Sequence, residues 1–376
     1  MAKSVLFCTG IYPPDIGGPA TYVLRLAQQM DQDGIRVGVI TYSDNHSGTE
    51  HGFHVTRIER RFFALNYLRY FYAVIRSAKN YDTLYIQGSF SEGIPTVLAN
   101  IFLRKKTVMR IGGIFSWELS TNLGMTRDLP EDFFHKKQRF FCEILKKIDN
   151  LVISNCDRVI ANSNYMKKIL TLNKIEPAKI SVIYNSFDPI PETKTPYAEE
   201  EFLENKFGAS GKTVLLSHGR FVPWKNFDKL ILFFKELSEN HILIIAGEGP
   251  EEEKLKNLIR NESLEKKVFL LPKQSKSELR KLNNFADIFV LISSYEGLSN
   301  ALVEAVQLDC KIISSDIEPN AEVLKGYETC KIIPIKKEFF IRAVSELETM
   351  QRRTNPQKDT FVFALIYKKT LSELCT

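Results

Sequence analysis

Two doubly wound α/β domains are the architecture this sequence predicts, on three observations. Short β-rich runs alternate with helical patterns along the whole chain. Its 376 residues exceed what one hydrophobic core normally serves. A proline-rich polar stretch near the middle separates two series of alternating elements. With 44% hydrophobic and 26% charged residues the composition is that of a globular protein, which excludes a chain that is mainly disordered.

The elements follow in order. In the first half the strand candidates are Val5 to Thr9, Val37 to Tyr42, His54 to Ile58, Thr83 to Gln87, Thr107 to Ile111, Arg158 to Ala161 and Ile180 to Tyr184. Between the first two, Val23, Leu26, Ala27 and Met30 repeat at helical spacing. In the second half the candidates are Thr213 to Ser217, His241 to Ala246, Val268 to Leu271, Ile288 to Ile292, Lys311 to Ser314 and Ile332 to Ile335. Residues 1–185 therefore form one Rossmann-like domain and 212–355 another. The stretch 186–211, with Pro189, Pro191 and Pro196, is the linker and the entry to the second domain. Residues 356–376 close the chain with a helix that carries Phe361, Leu365 and Tyr367 to Leu371.

Six scattered cysteines show no CxxC and no zinc spacing, which fits a reducing compartment. The apolar start at Val5 breaks at Gly10 and Pro13-Pro14, too short for a signal peptide, and no segment approaches the apolar run that crosses a bilayer. A cytoplasmic protein is expected, with the inner face of the cell membrane as a place it could work. Residues 1–185 hold 24 Lys/Arg against 16 Asp/Glu, a net +8, so the remainder is −2. The partner of this basic half is an anionic membrane surface, a phosphate-bearing acceptor or nucleic acid, or the face is simply solvated. Nucleic acid has no module signature to support it.

In open α/β sheets ligands sit at the carboxyl ends of the strands, and four loops there have a suitable composition. The first runs from Gly10 to Pro19, with Gly17 and Gly18 just before a helix, where paired glycines let backbone N–H groups approach a phosphate or merely reverse the chain. The second, Ser217 to Asn226, places Gly219, Arg220 and Lys225 between a strand and a helix, so that both cations can converge on a diphosphate. The third, Gly247-Glu248-Gly249-Pro250 followed by three glutamates, reads as ordinary helix-start chemistry; Glu252 stands where a dinucleotide fingerprint needs its third glycine. In the fourth, Glu296 lies in a loop and Glu304 on the following helix, off its apolar stripe, while Gly297, Leu298, Ser299 and Asn300 offer N–H groups at the helix start. Gly208 to Thr213 imitates a Walker A loop, but Lys206 replaces its first glycine and Thr213 opens a strand. No metal cluster is expected; Asp31 and Asp33 read as surface residues at a helix end.

Read in order, these residues resemble the family 4 retaining glycosyltransferases of the GT-B fold, two Rossmann-like doubly wound domains facing a central cleft. The resemblance spans nearly the whole chain: the Gly17-Gly18 loop, the Arg220 and Lys225 loop, the Gly247 to Pro250 turn and the pair Glu296 and Glu304 with seven residues between them. It implies an acceptor-binding first domain, a nucleotide-sugar-binding second domain, and a final helix that crosses back to the first. Arg220 and Lys225 would hold the donor diphosphate, with Gly219 beside them and Gly17 and Gly18 admitting it from the opposite domain. Glu304 would bind the ribose, and Glu296 with the backbone of Leu298 to Asn300 the transferred sugar. Such enzymes use no metal and no cofactor beyond the nucleotide-sugar, and transfer to a glycan or lipid-linked glycan in cell-surface polysaccharide or glycoconjugate synthesis.

One segment departs from the family pattern. Many members carry a histidine after the strand that here reads Val108 to Ile111, whereas this chain has Gly112-Gly113-Ile114-Phe115-Ser116-Trp117-Glu118. The resemblance to one branch of the family puts Gly112, Gly113, Trp117 and Glu118 near the sugar or acceptor; otherwise Trp117 packs and Glu118 caps. The missing histidine is the one argument for the alternative, a non-catalytic nucleotide-sugar or glycan-binding protein on the same fold. Two basic aromatic segments, Phe62 to Lys79 and Phe133 to Lys147, suit peripheral contact with an anionic membrane, or helices packed on the sheet.

Overall fold

Near-continuous apolar runs form the strands, because a parallel sheet covered by helices on both faces buries every side chain along them. The computed structural model describes residues 4–15, 17–44, 47–185, 197–352 and 361–375. They fall into two units, Met1–Ser186 with Ala364–Thr376, and Phe187–Phe363. Of the expected linker 186–211, residues 186–196 lie outside the described residues, and the rest begins with a helix.

In the first unit the order is β1 (Ser4–Thr9), α1 (Gly18–Gln32), β2 (Arg36–Tyr42), β3 (Gly48–Glu50), β4 (Phe53–Ile58), α2 (Phe63–Ser77), β5 (Thr83–Gln87) and α3 (Gly93–Leu103). It continues with β6 (Lys106–Ile111), α4 (Phe115–Asn122), α5 (Pro130–His135), α6 (Phe140–Ser154), β7 (Arg158–Ala161), α7 (Asn164–Leu172) and β8 (Ile180–Val182). The strands lie in the order β3-β4-β2-β1-β5-β6-β7-β8. All pairs are parallel except β3 with β4. In register, Phe7 of β1 stands between Val39 and Tyr85.

The second unit runs α8 (Tyr197–Phe207), β9 (Thr213–His218), α9 (Phe227–Phe234), β10 (His241–Ala246), α10 (Glu252–Asn261), β11 (Val268–Leu271) and α11 (Lys276–Phe285). It ends with β12 (Ile288–Leu291), α12 (Asn300–Gln307), β13 (Lys311–Ser315), α13 (Glu318–Val323), β14 (Cys330–Ile333) and α14 (Lys337–Glu348). Its sheet is wholly parallel, in the order β11-β10-β9-β12-β13-β14. Leu215, Leu243, Val290 and Ile313 of four adjacent strands join Leu230, Phe234, Phe340 and Leu347 from α9 and α14 in one core. Thr213 opens β9, as the rejection of a Walker A loop requires.

Both sheets reverse direction of growth once, between β1 and β5 and between β9 and β12. These are the topological switch points outside which open α/β sheets take ligands. The final helix α15 (Phe363–Cys375) belongs to the first unit. Its Tyr367 hydroxyl donates to the Asp33 carboxylate at 2.5 Å, and its Thr370 hydroxyl meets that of Tyr22 at 3.3 Å. Asp33 at the end of α1, read from sequence as a plain surface residue, is thus a docking point for α15. Among the described residues no helix is long and apolar enough to cross a membrane.

Candidate functional site

The second unit's switch point gathers the loops after β9 and β12. They are tied together by backbone: the Ser294 N–H donates to the Trp224 carbonyl at 2.8 Å, and the Asn226 amide to the Ile292 carbonyl at 2.9 Å. Asn226 adopts a left-handed conformation (φ 52°), which asparagine tolerates better than most residues, and so turns the chain into α9. Across this junction the Lys225 ammonium meets Glu296 Oε1 at 2.5 Å, with side chains only 12% and 9% exposed. The Arg220 side chain, by contrast, is exposed and makes no ion pair among the described residues.

Gly247 and Gly249 have a shared reason, the close approach of the loop that begins at Gly219. The Gly219 and Phe221 N–H groups donate to the carbonyls of Ala246 and Glu248 at 3.0 and 2.8 Å, and the Glu251 N–H donates to the Phe221 carbonyl at 3.1 Å. A Cβ on Gly247 would lie 1.9 Å from the Gly219 carbonyl oxygen, and one on Gly249 2.5 Å from that of Phe221. The Gly247 to Pro250 turn therefore does more than start a helix. It is the bed on which the Arg220 loop rests, with Phe221 fully buried against Phe227.

The segment after β12 leads into α12, whose first turn is capped by Ser299 accepting from the Leu302 N–H. Gly297, Leu298 and Ser299 are buried and Asn300 half-buried. Glu304 lies one turn along α12, and burial pushes its carboxyl up to about 7 against the pull of Lys276 and Arg280 on α11. Beneath Lys225, His218 is buried and receives a bond to Nε2 from the Asn283 amide at 3.3 Å. Burial first, and Lys225 second, hold it neutral, its proton affinity lowered to about 3.

The first-unit candidates are placed differently. Gly17 caps α1 and Gly18 opens it; a Cβ on Gly17 would meet the Ile11 side chain at 2.7 Å. The Gly112 carbonyl accepts from the Asn162 amide at 3.2 Å. Glu118 lies over Gly113, its Oε1 2.2 Å from where a Cβ would stand. Trp117 is 2% exposed, and its indole N–H donates to the Asp128 carbonyl at 2.8 Å, so this side chain is a packing anchor. The start of α4 is held by buried Asp149, which accepts from the Ser116 N–H at 2.9 Å and the Ser89 hydroxyl at 2.6 Å. Burial raises the Asp149 carboxyl, partly offset by those bonds.

One buried carboxylate at the first unit's switch point was not singled out by sequence reasoning. Glu92 lies under the loops leaving β1 and β5, bonded to the Ser91 hydroxyl. Its carboxylate occupies the space a Cβ on Gly10 or Gly88 would need, at 2.9 and 2.7 Å. Burial pushes it up to about 7, against bonds from Ser91 and from the Glu92 and Gly10 backbone. The available signal was its position in a Gly-Ser-rich loop at the end of a strand.

With this geometry in view, two family models match the chain: that described as Glycosyltransferase Family 4 over residues 16–189, and Glycosyl transferases group 1 over residues 199–359. A Campylobacter jejuni relative named N-acetylgalactosamine-N,N'-diacetylbacillosaminyl-diphospho-undecaprenol 4-alpha-N-acetylgalactosaminyltransferase is 29% identical over 55% of this chain and 54% of its own. A human relative, one of the subunits of phosphatidylinositol N-acetylglucosaminyltransferase, is 23% identical over 85% of this chain and 63% of its own. The chain spans about half the length of the curated relatives it matches. Among solved structures, Anabaena HepE in complex with UDP and glucose superposes with a TM-score of 0.80 at 18% identity, covering 100% of both chains.

Proposed function

Because the chain belongs to the family 4, group 1 glycosyltransferases of the GT-B fold, we propose that it is a retaining, metal-independent glycosyltransferase. It moves a sugar from a UDP- or GDP-linked donor to a hydroxyl of a glycan or lipid-linked glycan in cell-surface polysaccharide or glycoconjugate synthesis. The observation that carries this reading is the meeting of Lys225 and Glu296 at the second unit's switch point, on the loop that also carries Arg220 and on the approach to the helix of Glu304. A nucleotide donor is in keeping with the UDP in the Anabaena complex, and a lipid-linked acceptor with the name of the Campylobacter relative.

In this proposal Arg220 and Lys225 take the diphosphate, the N–H groups from Gly297 to Asn300 and the carboxylate of Glu296 take the sugar, and Glu304 takes the ribose. The bond from the sugar's anomeric carbon to the diphosphate breaks, and a bond to the acceptor oxygen forms on the same face. The acceptor's proton passes to the departing phosphate oxygen, so the protein's task is to stabilise the negative charge that develops there. In the first unit, the N–H groups of Gly17 and Gly18 at the start of α1 are candidates for binding a phosphate group, and Gly112, Gly113 and Glu118 are the candidates for the acceptor, with buried Trp117 packed beside them.

Incubation with UDP- and GDP-sugars and an undecaprenyl-diphosphate-linked glycan tests the reading. Nucleotide is released by the native chain and not by Lys225→Ala or Glu304→Ala; release that survives both substitutions would remove the assignment of this site.

The same proposal places the protein at the inner face of the membrane as a peripheral partner. Adjacent α2, α3 and α6 expose Leu68, Tyr72, Ile101, Phe102, Ile144 and Leu151 beside Arg76, Arg104 and Lys147. Sedimentation with phosphatidylglycerol vesicles should carry the protein down at low salt, and less at high salt; equal binding to neutral vesicles would remove the electrostatic part of this account.

A further inference from the structure

The proposed donor site needs its lysine on the diphosphate and its glutamate on the sugar, yet here the two are bonded to each other, at 2.5 Å and almost out of water. The two loops do not depend on this pair alone for their junction. The loops that carry Lys225 and Glu296 are already joined by the Ser294 to Trp224 and Asn226 to Ile292 bonds. The neighbouring imidazole of His218 accepts at Nε2 from Asn283 and brings no charge that could replace the lysine. Arg220 is exposed and without an ion pair among the described residues, and so is a cation open to an incoming anion.

Resting on the donor site proposed above, we infer that Glu296 is an internal counter-ion of Lys225, displaced by the donor diphosphate and returning to expel the nucleoside diphosphate once the sugar has left. When a nucleotide-sugar binds, its diphosphate takes Lys225, and the freed carboxylate, which can only accept, is satisfied by sugar hydroxyls. When the sugar has been transferred those hydroxyls are gone. Glu296 is then a nearly buried charge without a donor, beside an anion, and a buried charge stripped of its partner is strongly unfavourable. Re-forming the pair relieves both conditions and sets the diphosphate free. Glu296 thus discriminates between donor and spent nucleotide through its bond to Lys225.

Calorimetric titration of UDP, GDP, UDP-glucose and GDP-mannose into the native chain, Glu296→Gln, Lys225→Gln and the double variant tests this. The isosteric Gln removes the competing charge, so Glu296→Gln should bind the matching nucleoside diphosphate about tenfold tighter, while its sugar conjugate gains nothing. The gain should vanish in the Lys225→Gln background. Nucleoside diphosphate bound no tighter by Glu296→Gln, or equally tightened without Lys225, overturns the inference while leaving the donor site standing. A Glu296→Gln chain that fails to fold shows the pair to be structural and overturns it too. A native chain that binds none of the four nucleotides removes the donor-site reading itself, and this inference with it.

Discussion

If Glu304 takes the ribose as proposed, replacing it by Gln should abolish a proton linkage of nucleotide binding. Burial holds this carboxyl at about 7, so near neutral pH it is partly protonated without ligand. A ribose diol brings two hydroxyl donors, which the carboxylate accepts on two charged oxygens, whereas the protonated form accepts them more weakly and makes one oxygen a donor. Nucleotide binding must therefore release a proton below about pH 7. About one site in ten is ionised at pH 6 and about nine in ten at pH 8, so affinity should rise about tenfold between them, ~1.4 kcal/mol. A nucleotide-sugar is the right probe, because its doubly esterified diphosphate does not titrate in this range. Calorimetry in two buffers of different ionisation enthalpy measures the released proton directly. Affinity that is flat with pH, or a linkage that persists in Glu304→Gln, would refute the assignment of Glu304 to the ribose.

Gly247→Ala forces a Cβ to within 1.9 Å of the Gly219 carbonyl and must lift the Arg220 loop from its bed. Overpacking and the strained Gly219 and Phe221 hydrogen bonds should together cost about 3 kcal/mol, read as a lower urea midpoint together with weakened donor binding; an unchanged midpoint counts against the close packing. Glu92 has a native value of about 7 against an ordinary 4.5, so the folded state holds its proton more tightly and stability falls as pH rises from about 4.5 through 7. Glu92→Gln should flatten that fall, worth up to about 3 kcal/mol, in denaturation curves taken from pH 5 to 8; a slope equal to that of the native chain excludes Glu92 as its source. Asp149→Ala leaves the Ser116 N–H and the Ser89 hydroxyl buried and unpaired and should cost about 2 to 3 kcal/mol, with faster hydrogen exchange across α4 as its local signature.

Strands such as Val5 to Thr9 and His241 to Ala246 are legible in the sequence because parallel strands buried on both faces are unbroken apolar runs. β3 is not legible: Gly-Thr-Glu has no apolar face, and it pairs with β4 only across the His51-Gly52 turn. The last strand was expected at Ile332 to Ile335 but is Cys330–Ile333, since Pro334 has no N–H with which to extend the ladder. In the site, residue types and spacing single out Arg220, Lys225, Glu296 and Glu304. The bond between Lys225 and Glu296 is beyond such reading, because it joins residues 71 positions apart through the β9 to β12 adjacency. Glu92 and Asp149 escape for a related reason. Burial is a property of the packed sheet ends, and in sequence each looks like any acid on or beside a helix. Trp117 shows the converse, a residue that suits a sugar platform by type but is enclosed by its own loop.

Activation of a nucleotide-sugar for transfer with retention, proposed for the second unit's switch point, is open to one direct test. The most direct measurement is the NMR spectrum of the glycan formed from an α-linked nucleotide-sugar, with the native chain and with Lys225→Ala in parallel. The expected product carries a new bond that is α, formed in the presence of a metal chelator and absent with Lys225→Ala. A β-linked product, or transfer that proceeds unchanged without Lys225, would contradict the proposal.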